Sequence, residues 1–267
     1  MKKIVSRENA IFKTLRALAT SGRERRKQSK TLLDGIHLVR AYKQQYGAPE
    51  KIIVSEQGLE RAEIAAFLNA HPANEVLVLT NALFDEISPV ETPGGILALI
   101  GIPSTSAPRE LKQSCVVLDA VQDTGNLGAL LRTAAAAGIG DALLTQGCAQ
   151  AWSPRVLRAA MGAHFVLRIH EQAQPQVLLV DFPGSIIATR MDAAQSLYKT
   201  DLRAPVAWLF GNEGAGLTAE ISGLAQQNVM IPMPGKMESL NVAAAAAICL
   251  FEELRQKTIE QFQGAKK

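Results

Sequence analysis

From Cys115 onward five short segments are apolar without alternation: CVVLDAV at Cys115, DALLT at Asp141, SIIATR at Ser185, PVAWLF at Pro205 and NVMIP at Asn228. A strand with one wet face alternates apolar and polar side chains. A strand covered on both faces does not, so these segments predict a parallel sheet buried between helices. Helical stretches at Leu127–Ala137, Pro154–Met161, Ala219–Leu224 and Val242–Gln256 separate them. That alternation is what a parallel sheet needs, because its strands are joined by crossovers.

The residues before Cys115 predict a second, smaller α/β layer. Ser6 is placed to cap a first helix with Phe12, Leu15 and Ala19 on one face. The polar stretch SGRERRKQSK, Ser21–Lys30, reads as an exposed basic loop. Strands are expected at Thr31–Asp34, Lys51–Ser55, Glu75–Thr80 and Gly95–Ile100, with helices at Ile36–Tyr46, Leu59–Asn69 and Ala82–Ile87. PSTSAP, Pro103–Pro108, joins neither strand nor helix easily and reads as a linker. The expected layout is therefore an α/β domain over 1–102, a linker over 103–113 and a parallel-sheet domain over 114–267.

Composition narrows the class. With 267 residues, 48% hydrophobic and 20% charged, the chain reads as folded and two-domain. The longest apolar run, Val242–Phe251, is about half of what a membrane helix needs. MKKIVSRENA has two lysines but no apolar core behind them, so no signal peptide is expected and the location reads as cytoplasmic. Cys115, Cys148 and Cys249 are far apart, and His37, His71, His164 and His170 show no metal spacing, so reduced thiols and no metal are expected.

Charge is unevenly placed. The net charge of +3 divides into +9 over residues 1–43 and −6 over the rest. A clustered basic arm is the electrostatic footprint of a polyanion partner; a merely solvated basic helix is the plainer alternative.

Three segments of the second half carry more than packing, and each begins where a strand ends, the place open α/β sheets reserve for ligands. In LDAVQDTGNLGALLRT, Leu118–Thr133, Asp123 or Thr124 can cap the helix, Gly125 and Gly128 permit close approach, and Arg132 lies on the helical face of Gly128. A helix N-terminus with an arginine is a natural phosphate site. In WLFGNEGAGLT, Trp208–Thr218, three glycines in six residues expose backbone amides, and Glu213 sits in the bend without a folding role. In IPMPGKMESLNVA, Ile231–Ala243, two prolines stiffen the loop, Ser239 is placed to cap the last helix, and Asn241 has no evident structural need. No GxxxxGK[ST] is present, and GNEGAG comes too late to be a dinucleotide fingerprint.

On these motifs the chain resembles the TrmH/SpoU family of RNA 2′-O-ribose methyltransferases, within the SPOUT superfamily. The resemblance rests on NLGALLRT at Asn126, LFGNEGAGL at Leu209 and IPMPGKMESLNVA at Ile231, in that order, over about 160 residues. TLLDGIHLVRAY, Thr31–Tyr42, resembles the family's substrate-binding domain, with Asp34 where glutamate is usual. Thr124 stands where proline is common.

The resemblance implies a C-terminal trefoil-knotted parallel-sheet SPOUT methyltransferase domain with a smaller N-terminal α/β substrate-binding domain. It implies S-adenosylmethionine as cofactor, held by Thr189, Leu209, Gly211, Asn212, Ile231, Met233 and Leu240. It implies a homodimer in which Arg132 faces the partner's cofactor. Arg132, Asn126, Glu213, Ser239 and Asn241 become the catalytic candidates. Arg23, Arg25, Arg26, Lys27, Lys30 and Arg40 become the candidate contacts to RNA, most simply ribosomal RNA. A sulfonium is already a good leaving group, so the chemistry needs no metal. A guanidinium is a poor base, so stabilisation of a developing alkoxide suits Arg132 better than proton abstraction. The alternatives are a transfer-RNA methyltransferase and a non-catalytic RNA-binding protein on the same scaffold; the second predicts decay of the five candidates, which are intact.

Overall fold

The computed structural model describes residues 1–70, 75–103 and 110–264, with 259–264 by backbone alone. Two compact units are present: Met1–Ser104 with Trp152–Phe165, and Thr105–Ala151 with Val166–Lys267.

The first unit runs β1 (Lys2–Ile4), α1 (Ala10–Thr20), α2 (Gly22–Gln28), β2 (Lys30–Asp34), α3 (Ile36–Tyr46), β3 (Lys51–Ser55), α4 (Glu56–Leu59), α5 (Ala62–Asn69), β4 (Glu75–Leu79), α6 (Asn81–Ile87) and β5 (Ile96–Gly101). Its strands form one sheet in the order β1-β4-β3-β5-β2, with β1, β4 and β3 parallel and β5 antiparallel to both β3 and β2. Phe12, Leu15 and Leu18 of α1 pack with Leu32, Ile53, Leu77 and Phe84 into its core. Burying side chains of this size stabilises by roughly 1.5–3 kcal/mol each.

Asn9, not Ser6, caps α1: its carboxamide oxygen accepts from the Ile11 and Phe12 amides. The basic stretch is a helix rather than a loop. The Ser21 hydroxyl accepts from the Glu24 amide at 3.3 Å and starts α2, and Ser29 closes it in the left-handed region. The pattern Ser-x-x-Glu is the signature of such a start.

The second unit adds β6 (Cys115–Leu118), α7 (Thr124–Ala136), β7 (Asp141–Leu144), α8 (Pro154–Ala160), β8 (Arg168–His170), α9 (Pro175–Leu178), β9 (Ser185–Thr189), β10 (Gln195–Ser196), β11 (Val206–Phe210), α10 (Ala219–Ser222), β12 (Gln227–Met230) and α11 (Val242–Gly264), of which α8 packs elsewhere. The strands form an all-parallel sheet in the order β10-β12-β9-β11-β6-β7-β8, as continuous apolarity predicts. The chain runs from β6 outward to β8, then returns to the other side of β6, so the order reverses between β6 and β11. Crevices outside the carboxyl ends of strands at such a reversal are where ligands bind.

α11 packs along α7 and is tied to the sheet by a buried carboxylate. Glu253, 3% exposed, accepts from Trp208 Nε1 of β11 at 2.6 Å and from the Ser114 hydroxyl, with Lys257 closing the group. This sets the register of the helix whose first turn reaches the site.

Residues Trp152–Phe165, which the sequence assigns to the second domain, belong to the first unit. The Thr31 hydroxyl donates to the Trp152 carbonyl at 2.7 Å, and Arg158 of α8 pairs at 3.0 Å with buried Asp34, which also accepts from the Ser88 hydroxyl. Tyr42 and Tyr46 of α3 meet the Phe165 ring edge-on. Of the expected linker, residues 104–109 lie outside the described residues, as does His71.

Candidate active site

Asp123 caps α7, its carboxylate accepting from the Asn126 amide at 2.7 Å. This places Asn126 in the first turn, and its carboxamide joins the three segments. Asn126 Nδ2 donates to Glu213 at 2.7 Å, and Asn126 Oδ1 accepts from Asn241 Nδ2 at 2.9 Å. Residues 87 and 115 positions away in sequence thus converge on one amide.

Asn241 has the structural role that the sequence assigned to Ser239. Its Oδ1 accepts from the Ala243 and Ala244 amides, so Asn241 is the cap of α11. Ser239 lies two residues ahead, exposed. A cap must sit directly before the first helical residue, and α11 starts at Val242.

Gly211 opens the loop after β11. A Cβ there would stand 2.3 Å from the Gly216 carbonyl carbon and 2.5 Å from the Leu217 nitrogen. The glycine therefore lets the loop fold back on itself, where Asn212 and Gly216 exchange backbone hydrogen bonds of 2.9 Å. Asn212 Oδ1 accepts from the Gly214 and Ala215 amides, and its Nδ2 donates to the Ala120 carbonyl. Asn212 is the scaffold of the loop.

Beside this network, a slot opens past the ends of β9 and β12. Thr189, Ile231, Met233 and Leu240 line it together with Ser239, Arg190, Met191 and Ala245. Leu209, Gly211 and Asn212 do not line it: Leu209 is buried in β11, and the other two hold the loop. Arg190, Met191 and Ala245 are lining residues that motif reading missed. The first two follow Thr189 at the end of β9 and could have been found by position alone, as residues just past the carboxyl end of a parallel strand. The apolar walls of Ile231, Met233 and Leu240 suit a flat heteroaromatic ring, and Thr189 and Ser239 offer hydroxyls to its polar substituents, so the residues present fit the adenosyl part of S-adenosylmethionine.

Arg132 projects from α7, exposed, its guanidinium without a hydrogen bond or ion pair to another described residue. It is thus available to an external anion. Burial pushes the Cys115 and Cys249 thiols up to about 12, and burial also raises half-buried Cys148, which donates to the Leu118 carbonyl. Among the described residues no three His, Cys, Asp or Glu side chains group to hold a metal.

The basic candidates separate. Arg23, Arg26 and Lys27 of α2 are exposed. Arg25 is buried, donating to the Leu18 and Ala19 carbonyls at 2.7 and 3.2 Å, so it satisfies the end of α1 instead of facing solvent. Lys30 pairs with Glu50, and Arg40 with Glu63.

The parallel sheet and the three converging segments define an α/β methyltransferase of the SpoU type, and comparison with known proteins agrees. Residues 113–251 match the SpoU rRNA Methylase family, and residues 9–98 match the MRM3-like substrate binding domain. The chain belongs to the SpoU rRNA methylase family. It is 30% identical over 253 residues to the 23S rRNA (guanosine(2553)-2′-O)-methyltransferase RlmP of Bacillus subtilis, covering 94% of this chain and 98% of the relative. A crystal structure of an RNA 2′-O ribose methyltransferase superposes with a TM-score of 0.82 at 31% identity, covering 96% of this chain and 99% of the other. An AdoMet-bound rRNA methyltransferase from Sinorhizobium meliloti superposes with a TM-score of 0.77 at 27% identity, covering 95% and 97%. No helix among the described residues is long and apolar enough to cross a membrane.

Proposed function

We propose that this chain transfers the methyl group of S-adenosylmethionine to the 2′-hydroxyl of a ribose in ribosomal RNA, in the cytoplasm. The observation that carries the reading is the Glu213–Asn126–Asn241 chain of hydrogen bonds, which ties three distant segments together beside an apolar slot. The ribosomal substrate is supported by the near full-length likeness to RlmP.

The bound cofactor supplies a methyl group on a sulfonium, a carbon ready for in-line attack. Ile231, Met233 and Leu240 would hold it in the slot, with Thr189, Arg190 and Ser239 as the polar side chains of the lining. The 2′-hydroxyl oxygen would attack the methyl carbon as its proton passes to solvent water and the carbon–sulfur bonding pair stays on sulfur, and Arg132 would stabilise the charge developing on that oxygen. Asn126 and Asn241 tie the first turns of α7 and α11 together, which aligns the helix that carries Arg132 with the loop end that carries Leu240. Residues 1–102 select the RNA, 103–113 connect, and 114–267 catalyse, with α2 meeting phosphates through Arg23, Arg26 and Lys27.

The active form is a homodimer in which Arg132 serves the partner's cofactor. Two features support this: Arg132 has no partner among the described residues, and α11 exposes Phe251 and Leu254. The knot belongs to the same reading, supported by the path from β11 across β9 to β12 and back to α7 through α11.

The test is Arg132→Ala, assayed for transfer of labelled methyl to ribosomal RNA lacking modifications. Folding and cofactor binding should persist while transfer falls by about 100-fold or more. Full activity in this variant overturns the assignment.

A further inference from the structure

A second cleft lies at the carboxyl ends of β6, β7 and β8, outside the cofactor slot, with a volume of about 470 Å³. Its floor is Asp119, 2% exposed, whose carboxylate accepts from the Thr145 hydroxyl at 2.8 Å and the Thr218 amide at 2.7 Å. Glu220 of α10 stands on one side. Gln172, Gln174 and Gln176, from the segment after β8, stand on the other. Pro175 and Ile221, both buried, supply apolar wall. Gln172 is held at φ +54°, a conformation rarely adopted by residues other than glycine. Such strain is retained where the surroundings over-determine a residue, often at ligand sites.

The chemistry of the lining selects its occupant. Among the described residues no lysine or arginine lines the cleft and two carboxylates do, so a phosphate is disfavoured there. What fits is a neutral, flat group with adjacent N–H donors for a carboxylate and acceptors for carboxamides. Guanine has this arrangement: N1–H and the N2 amino group lie side by side, and O6 and N7 accept. Adenine, cytosine and uracil do not present two adjacent donors. Unpaired bases of RNA are read in this way, along their Watson–Crick and Hoogsteen edges.

The cleft also communicates with the catalytic network. The loop from Gly211 to Thr218 turns Glu213 toward Asn126 and sets Thr218 into the cleft. A base held by the cleft therefore registers the RNA strand against the reacting ribose.

We propose that this cleft is a recognition pocket for one unpaired guanine of the RNA substrate, with Glu220 accepting from N1–H and N2–H. The proposal rests on the methyltransferase reading above.

The test uses the full chain saturated with S-adenosylmethionine and short labelled uridine oligomers carrying a central guanosine, inosine or adenosine. Fluorescence anisotropy should show guanosine bound about tenfold more tightly than adenosine, with inosine between them because it lacks the N2 amino group. Glu220→Ala, at an exposed position, should erase the preference and leave binding of the adenosine oligomer unchanged. Equal binding of the three oligomers by the unaltered chain, or a preference that survives Glu220→Ala, overturns the pocket. Methyl transfer to unmodified ribosomal RNA is measured on the same preparation. Transfer without guanine preference overturns the pocket alone; absence of transfer overturns the enzymatic reading on which it rests.

Discussion

The Asn241 carboxamide donates to Asn126 across 2.9 Å while its oxygen caps α11. One side chain thus does two jobs, which substitution can separate. Asn241→Asp keeps the capping oxygen but loses the donor, so stability should hold while kcat falls about tenfold. Asn241→Ala loses both and should also cost about 1 kcal/mol of stability. Thermal melts with single-turnover rates check this; equal kcat in Asn241→Asp and the unaltered chain would show that the bond to Asn126 is idle.

Gly211→Ala forces a Cβ into the backbone of Gly216 and Leu217. It should destabilise the chain by about 2 kcal/mol and weaken S-adenosylmethionine binding as the loop shifts. Gly214→Ala is the control: its Cβ would meet only Asn212 Oδ1 at 3.6 Å, an ordinary contact, so stability and binding should be unchanged. Urea unfolding and calorimetric titration with the cofactor decide the matter.

The basic helix makes a divided prediction. Replacing Arg23, Arg26 and Lys27 together by alanine should lower the slope of log affinity against log salt by about 2, since single-stranded contacts contribute roughly 0.7 each. Arg25→Ala should leave the slope alone and instead cost about 1–3 kcal/mol, because two carbonyls at the end of α1 lose their donor. RNA binding measured across a salt series separates the two effects.

Asp141 supplies a pH dependence. Burial raises its pKa, but hydrogen bonds from His170 and Arg168 outweigh burial and hold the carboxyl below its ordinary 3.8. A depressed acid stabilises the fold above its unfolded value, and that stability is lost as the pH falls through the folded one. Asp141→Asn should therefore be about 2 kcal/mol less stable at neutral pH, with the gap narrowing below pH 3.8. Denaturant titrations at both ends check it; a gap independent of pH would mean that the charge contributes nothing.

The parallel sheet was legible because its central strands are apolar on both faces, a pattern with one physical meaning. β8 and β10 were not, because RIH and QS carry too little apolar surface to register as strands. The site was legible through its motifs, yet the division of labour inside it was not. Which of Ser239 and Asn241 caps α11 depends on where the helix starts, and the need for a glycine at 211 depends on a turn five residues later. Arg25 could not be told from its neighbours by charge, because only the fold of α2 against the end of α1 turns it inward. The place of α8 was hidden for a similar reason, since its partner Asp34 lies 124 residues away.

The excursion of Trp152–Phe165 into the first unit has an evolutionary corollary. A substrate-selecting module that borrows a helix from the middle of its neighbour's sequence is not transferable as one continuous cassette. Exchange of this module between relatives must carry both stretches, or Asp34 is left enclosed without its guanidinium. A graft of residues 1–104 alone would therefore arrive with a buried carboxylate and no cation to answer it.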